Sequence, residues 1–224
     1  MSARSMPLVF FATLLLHCGP APDSARPSTA TPTPSTPAPA TATPLPPGAV
    51  RLGIVPARSV ATIRVHEQVA NVALPGEAVL TTNAFEGSLV LLPDGTFAPG
   101  SAFAALLDTL KSDSDLRDEW IKINTLQTRQ YPRAEFVPSR VVGAPLPLTD
   151  GEWAASVEGV MRIHGVERPL VWELRAVRSA GELRVRGSTS FRFGDYGMAV
   201  PANRLVLSVV DDVRLEIDLV AKEG

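Results

Sequence analysis

Apolar and polar residues alternate with a period of two along four segments of this chain, a pattern that predicts half-buried β-strands. In residues 59–67 the alternation places Ala61, Ile63 and Val65 on the apolar face. The other apolar faces consist of Phe85, Gly87, Leu89 and Leu91; of Val157, Gly159, Met161 and Ile163; and of Val213, Leu215, Ile217 and Leu219. Short polar turns such as Pro93-Asp94-Gly95 separate the strands. The pattern predicts an antiparallel sandwich or barrel.

One helix is predicted between the second and third of these segments. Residues 112–114, Ser-Asp-Ser, offer oxygens for the N-cap. Asp115 and Asp118 fall in the first turn, where the helix dipole favours negative charge. The face expected to pack against an end of the barrel consists of Leu116, Trp120, Ile123 and Leu126.

Residues 1–18 have the features of an export signal. The apolar run at residues 8–16 is shorter than the about 20 residues that a membrane-spanning helix needs, and it has the position of a signal-peptide h-region. The single cysteine, Cys18, follows directly, so the segment looks like a bacterial lipoprotein site at which the thiol is acylated. His17 stands where such sites normally carry a small residue, which leaves ordinary secretion as the alternative. Either way the chain is expected to be exported to the cell envelope.

Residues 19–48 consist almost wholly of Pro, Ala, Thr and Ser, so they cannot bury enough apolar surface to offset the entropy of ordering. We expect a disordered linker that holds the domain away from its anchor. Residues 49–224 suit one domain with one core. The formal net charge is −2 and no basic patch with interleaved aromatic residues occurs, so nucleic acid is not an expected partner.

No catalytic or metal-binding set can be assembled from the residue types present. The three histidines, His17, His66 and His164, suggest neither a Ser-His-Asp triad nor a zinc site. His164 precedes Gly165 in a tight turn, and its ring is expected to hydrogen-bond neighbouring backbone. The carboxylates assigned to outward or edge positions, and therefore to a solvated face, are Glu67, Glu86, Glu158 and Asp212.

Five motifs occur in the order found in the YceI-like family, which the chain resembles over residues 52–223. They are R-D-E-W-I-K-I-N-T-L-Q-T-R-Q-Y-P-R-A-E-F at Arg117–Phe136, M-R-I-H-G-V-E-R-P-L at Met161–Leu170, F-E-G-S-L at Phe85–Leu89, D-Y-G-M at Asp195–Met198 and V-D-D-V-R-L-E-I-D-L at Val210–Leu219. Members of this family are small secreted bacterial proteins with a lipocalin-like β-barrel that binds polyisoprenoid-type lipids. The resemblance therefore implies an all-β fold, an antiparallel lipocalin-like barrel of about eight strands with one short helix near the barrel mouth. It also implies a strand at residues 102–110, although the composition there favours a helix.

The resemblance implies that the barrel binds an isoprenoid or other long-chain lipid, such as a polyisoprenoid or an isoprenoid quinone, without changing it. Arg117 and Asp118 are expected at the cavity mouth, where they either face a polar head group or fix the helix to the barrel. Small inward residues such as Gly159 are expected to leave room for a lipid chain. The residues expected to line the cavity are Ala61, Ile63, Val65, Phe85, Gly87, Leu89, Phe136, Gly159, Met161 and Ile163.

Two alternatives to a lipid carrier stay open. One is a surface-binding or scaffold module of the envelope with a packed core. The other is an enzyme on the same barrel that uses Arg117, Asp118 and His164, although nothing in the spacing indicates a reaction and we expect no catalysis. The sequence also leaves open the identity of the lipid and the choice between a monomer and a homodimer.

Overall fold

The structure is a computed structural model that describes residues 45–70, 73–204 and 206–224. The predicted signal peptide at residues 1–18, the candidate acylation site Cys18 and most of the linker predicted at residues 19–48 lie outside the described residues and stay predictions.

The described chain contains ten strands and one α-helix, with short 3-10 turns at three places. In chain order the elements are β1 (Val50–Ile54), β2 (Val60–Val69), β3 (Gly76–Thr82), β4 (Phe85–Leu91), β5 (Ala102–Leu106), α1 (Asp115–Asn124), β6 (Arg133–Val142), β7 (Gly151–Ile163), β8 (Val166–Ser179), β9 (Glu182–Phe191) and β10 (Val206–Glu223).

All strand pairs are antiparallel, and eight of the strands close into a ring. The order around the ring is β1, β4, β5, β6, β7, β8, β9 and β10, and the pairing of β10 with β1 completes it. The long strand β10 offers one edge to two partners: Ala221–Glu223 pair with β1, while the part from Val206 to Asp218 pairs with β2. β3 extends the sheet beyond β2. The prediction of an antiparallel barrel of about eight strands with one helix is confirmed.

The strand expected at residues 102–110 is confirmed for its first half only. β5 ends at Leu106, and Leu107–Thr109 form a single 3-10 turn. Leu107 and Leu110 are both buried, with 3% and 1% of their surfaces exposed. A continuing strand would place them on opposite faces, because their spacing is odd. The turn lets both side chains enter the core.

Helix α1 begins as predicted, but its predicted apolar face is buried only in part: Leu126 is 8% exposed and Trp120 is half-buried. Ser114 is the N-cap and its hydroxyl accepts a hydrogen bond from the Arg117 backbone N–H. Of the predicted apolar face, Leu116 and Ile123 are 80% and 64% exposed. The reason is Asp118, which is 1% exposed and accepts hydrogen bonds from the backbone N–H (2.9 Å) and hydroxyl (2.6 Å) of Ser112. Anchoring Asp118 turns its own side of the helix, with Ile121, toward the barrel.

The hairpin between β7 and β8 turns on two residues, His164 and Gly165, whose φ angles are +52° and +76°. Two positive φ angles are typical of the type I′ turn that matches the twist of paired strands. The His164 ring lies against Tyr131, with centroids 4.4 Å apart. Its Nε2 is buried without a hydrogen-bond partner among the described residues, so the expected bond from this atom to the backbone is absent. The structural role of His164 instead rests on the ring contact and the turn.

Candidate ligand cavity

A cavity of about 600 Å³, named here the upper cavity, lies between α1 and the inner faces of β2, β3 and β10. This volume falls within the range of about 300–1,000 Å³ that is typical of ligand pockets. Most of its wall is apolar, and the lining includes Ile63, Val65, Leu80, Ile163, Phe193 and Leu215. A barrel of this strand number can therefore hold one apolar ligand without unfolding any part of its wall.

The upper cavity reaches the surface between α1 and the segment at residues 198–204. Three of the described residues both line the cavity and are exposed to solvent: Leu116 on α1, Asn203 and Arg204. This opening is named the mouth. The predicted position of the helix near the barrel mouth agrees with this geometry.

One ion pair lies in the wall of the upper cavity. Arg117 Nη2 donates a hydrogen bond to Glu67 Oε1 at 3.0 Å, and only 9% of the Glu67 side chain is exposed. The outward assignment of Glu67 was wrong. Val65 and Glu67 are two residues apart on β2, so the alternation that turns Val65 inward also turns Glu67 inward. The same alternation, continued by one further period of two residues beyond Val65, would have found this carboxylate.

The sequence left open whether Arg117 and Asp118 face a lipid head group or fix the helix to the barrel, and the structure places the two side chains differently. Asp118 does not line the upper cavity and fixes the first turn of α1 through Ser112. Arg117 lines the cavity, and its guanidinium also pairs with Asp113 through Nη1. Two carboxylates therefore balance the positive charge of Arg117.

The residues predicted to line the cavity fall into three groups. Ile63, Val65 and Ile163 lie in the wall of the upper cavity. Leu89 and Phe136 lie in the wall of a second cavity of about 100 Å³, named the lower cavity, at the other end of the barrel. The remaining five residues line neither cavity: Ala61, Phe85, Gly87, Gly159 and Met161. Contact of any of these residues with a ligand stays a prediction.

Gly159 does not leave the free space that its size suggested. A Cβ atom at this position would lie 2.5 Å from Cζ of Phe136, so the Phe136 ring already occupies the room above the glycine. Gly87 has a φ of +105° and approaches the backbone oxygen of Ala102, which a Cβ would meet at 2.3 Å. These glycines permit close approach of neighbouring groups rather than an open tunnel.

Several wall residues of the upper cavity were missed from the sequence. Some lie on β3, where Ala78 and Leu80 alternate with exposed or half-buried neighbours, so the period of two could have found them. Phe193 and Met198 come from an irregular segment that has no periodic pattern. Ile121 lies on α1 outside the predicted apolar face, whereas Trp120 and Leu126 of that face also line the cavity.

No helix in the described part of the chain is long and apolar enough to cross a membrane. Among the same residues, no group of three or more His, Cys, Asp or Glu side chains is arranged to hold a metal ion.

A model of the YceI-like domain matches residues 54–221 of this chain. Solved structures with a similar fold include BcnA from Burkholderia cenocepacia, with 16% identity, a TM-score of 0.56, and coverage of 76% of this chain and 100% of that chain. A polyisoprenoid binding domain from Saccharophagus degradans has 13% identity, a TM-score of 0.58 and coverage of 79% and 99%. The YCEI protein of Campylobacter jejuni has 15% identity, a TM-score of 0.50 and coverage of 63% and 82%. At these identities the likeness shows a shared fold. A search of curated proteins found no match.

Proposed function

Because this chain belongs to the YceI-like family, we propose that its upper cavity binds an isoprenoid or other long-chain lipid and carries or stores it without chemical change. The observation that carries the proposal is the cavity of about 600 Å³ with a mostly apolar wall and a mouth beside α1. The name of the Saccharophagus degradans structure, a polyisoprenoid binding domain, supports the choice of a polyisoprenoid as the ligand.

The proposed mechanism is partition between two apolar environments. Burial of apolar surface contributes about 25 cal/mol per Å² removed from water, and it has no directional requirement. A lipid tail therefore gains most of its binding free energy from the wall of the upper cavity. The polar end of the lipid stays at the mouth, where Glu67 and Arg117 supply the polar groups.

The polar groups in the cavity wall support binding without turnover. Glu67 is engaged by Arg117, and the two histidines of the described residues lie elsewhere: His66 is exposed on the outside of β2 and His164 lies against Tyr131. An acid–base pair would need two titratable groups that converge on a substrate. We therefore propose a carrier and no enzyme.

The proposed place of action is the bacterial cell envelope. The predicted export signal at residues 1–18 would direct the chain there, and acylation of Cys18 would anchor it to a membrane. The linker predicted at residues 19–48 would keep the mouth within reach of the bilayer, because proline-rich chains extend by about 3.1 Å per residue. The intact mass of the protein from membranes tests the acylation directly.

Native mass spectrometry of the full chain purified from envelope membranes tests the lipid. We expect a bound apolar ligand that organic solvent extracts and that fragments as an isoprenoid or other long-chain lipid. Protein that is empty in every gentle preparation would count against the proposal and would favour a surface-binding module.

A pair of tryptophan variants on β6 separates the cavity from the outer surface. Ala134 lines the upper cavity, so Ala134→Trp should fill it and remove most of the bound lipid. Val137 lies on the same strand, faces outward and is 44% exposed, so Val137→Trp should retain the lipid. Both variants should give the circular dichroism spectrum of the wild type. Equal lipid content in the two folded variants would contradict binding in the upper cavity.

A further inference from the structure

Among the described residues, the barrel interior holds two cavities that share no lining residue. On β6, Ala134 lines the upper cavity and Phe136 lines the lower one. On β10, Leu215 lines the upper cavity and Ile217 the lower one. β6 and β10 are four strands apart in a ring of eight, on opposite sides of the barrel. The cavities are therefore stacked along the barrel, and a layer of side chains separates them.

Three aromatic side chains line the lower cavity and not the upper one, and they are named here the aromatic layer; its member Phe136 is the next inward residue of β6 after Ala134 of the upper cavity. Phe103 on β5 and Phe136 on β6 have ring centroids 5.8 Å apart. Phe136 and Trp172 on β8 are 6.4 Å apart with ring planes at 81°. Phe136 is 1% exposed and Trp172 is 3% exposed. The rings thus span the four consecutive strands β5 to β8 inside the barrel.

Phe136 reaches Trp172 because the strand between them, β7, carries Gly159. A side chain at this position would collide with the Phe136 ring, as the distance of 2.5 Å from an added Cβ to Cζ shows. Gly187 on β9 has the same effect for Leu174 and Ile217, which an added Cβ would meet at 2.3 and 3.3 Å. Two glycines therefore let large side chains lie across the interior at the level where the cavities meet.

We propose that the aromatic layer limits the length of the apolar chain that the upper cavity accepts, with Phe136 as the length-determining residue. This inference rests on the proposed function, lipid binding in the upper cavity. A chain that enters at the mouth extends inward until it meets the aromatic layer, and its remaining units stay at the mouth. The lower cavity is lined only by apolar side chains, and a longer chain reaches it only when Phe136 is removed.

The limit has a measurable consequence for affinity. Each methylene that moves from water into the cavity lowers the Kd by about fourfold. The Kd of the wild type should therefore fall steeply with chain length and then level off at the first chain that fills the upper cavity. Units that stay outside the protein add little.

The experiment measures the Kd of the full chain for all-trans prenols of increasing length, from geraniol through farnesol and geranylgeraniol to longer members, by displacement of a fluorescent fatty acid. For Phe136→Ala we expect the Kd to keep falling beyond the wild-type plateau. The strand length from Ile217 to Ala221, about 13 Å, sets the upper limit of the added depth, because barrel strands are tilted to the barrel axis. The first prenol longer than the plateau should bind the variant at least about tenfold more tightly than the wild type.

Phe136→Leu removes less of the ring volume and serves as a second variant in case Phe136→Ala does not fold. We expect the Kd for the longer prenols to fall in this variant too, but by a smaller factor. Phe97→Ala is the matched control, because Phe97 lines the lower cavity outside the aromatic layer. This control should keep the wild-type plateau. A wild-type Kd that falls without a plateau, or an unchanged plateau in folded Phe136 variants, would overturn the inference and leave the proposed function intact. Failure of every prenol to bind the wild type would overturn both.

Discussion

Glu67 and Arg117 are fifty positions apart in the sequence, and their side chains meet at 3.0 Å in the wall of the upper cavity. The pair joins the inner face of β2 to the first turn of α1. Glu67 is 9% exposed and the Arg117 side chain is 24% exposed, so water screens the pair only in part. The position of α1, and with it the shape of the mouth, depends on this contact.

Removal of one partner of this pair should destabilise the fold. In Arg117→Leu the Glu67 carboxylate is left buried beside apolar groups, and we expect the free energy of unfolding to fall by about 3 kcal/mol. The double variant Glu67→Leu with Arg117→Leu should recover most of this loss, because neither charge is then buried alone. Urea unfolding of the two single variants and the double variant measures the coupling.

Arg162→Leu provides the comparison for that experiment. Arg162 and Glu167 form an ion pair whose side chains are 55% and 53% exposed. Exposed pairs contribute little to stability, so the free energy of unfolding of this variant should stay close to that of the wild type. Equal decreases in the free energy of unfolding for Arg117→Leu and Arg162→Leu would show that the Glu67–Arg117 pair stabilises the fold no more than an exposed ion pair does.

Gly165→Ala should weaken the hairpin between β7 and β8. The φ of +76° is strained for a residue with a side chain, and an added Cβ would lie 2.8 Å from Cε1 of Tyr131. We expect a loss of about 1–2 kcal/mol in the free energy of unfolding. Gly76→Ala is the control, because no group lies within 4 Å of an added Cβ there. Similar unfolding midpoints for the two variants in urea would contradict the argument.

The ionised carboxylate of Asp218 should stabilise the folded state, and this contribution should be lost at acidic pH. Hydrogen bonds from Arg184, with further help from Arg186, hold the pKa of Asp218 below its usual range against the opposing effect of burial. Because the folded pKa is depressed, the contribution is complete above the unfolded pKa of about 3.9 and is lost as the pH falls through the folded value. Asp218→Asn should cost about 1 kcal/mol at neutral pH and progressively less below about pH 4.

The check on Asp218 is urea unfolding of wild type and variant at a series of pH values in low salt. Glu119→Gln, which removes a carboxylate from the exposed side of α1, is the matched control for the loss of one negative charge. A difference between wild type and Asp218→Asn that stays constant down to acid pH would rule out a titrating contribution from this carboxylate.

Tyr196 should make the fold sensitive to alkali. Burial raises the pKa of Tyr196 to about 12, and the ring lies edge-on to Phe191 with centroids 4.8 Å apart. Since the unfolded phenol ionises near pH 10, its ionisation favours the unfolded state between about pH 10 and pH 12, by up to about 1.4 kcal/mol per pH unit.

Tyr196→Phe should remove this alkaline loss. Its stability at neutral pH should change by less than about 1 kcal/mol, because the hydroxyl has no hydrogen-bond partner among the described residues. Thermal unfolding from pH 8 to pH 11 measures both effects. Parallel curves for the variant and the wild type above pH 10 would contradict the assignment.

The sequence predicted the elements whose signals are local. The strand predicted at residues 59–67 corresponds to β2, which runs from Val60 to Val69, and the helix start follows from Ser114 and the acidic first turn. The turn at Asp195 and Gly197, within the D-Y-G-M motif, is local in the same sense: Asp195 accepts a hydrogen bond from the Arg192 backbone N–H, and Gly197 has a φ of +67°. Each of these features depends on residues within a few positions of one another, so each can be predicted from the amino-acid sequence.

The face of α1 shows where local reasoning ends. Leu116, Trp120 and Ile123 form an apolar stripe at helical spacing, yet Leu116 and Ile123 are exposed. The helix is oriented by polar contacts of Asp118 with Ser112 and of Arg117 with Glu67. Hydrophobic periodicity takes no account of such contacts, so the stripe alone did not show which of its residues would be buried.

By itself, the sequence determined the class of fold, the family, the period of the strands and the start of the helix, because alternation and capping act between near neighbours in the chain. Only the tertiary structure decided that the interior is divided. Phe136 crosses Gly159 to reach Trp172, and Ile217 covers Gly187, through contacts between different strands. Whether a small inward residue leaves a space or receives a neighbouring ring depends on which strands meet and in which register, and those are properties of the closed barrel.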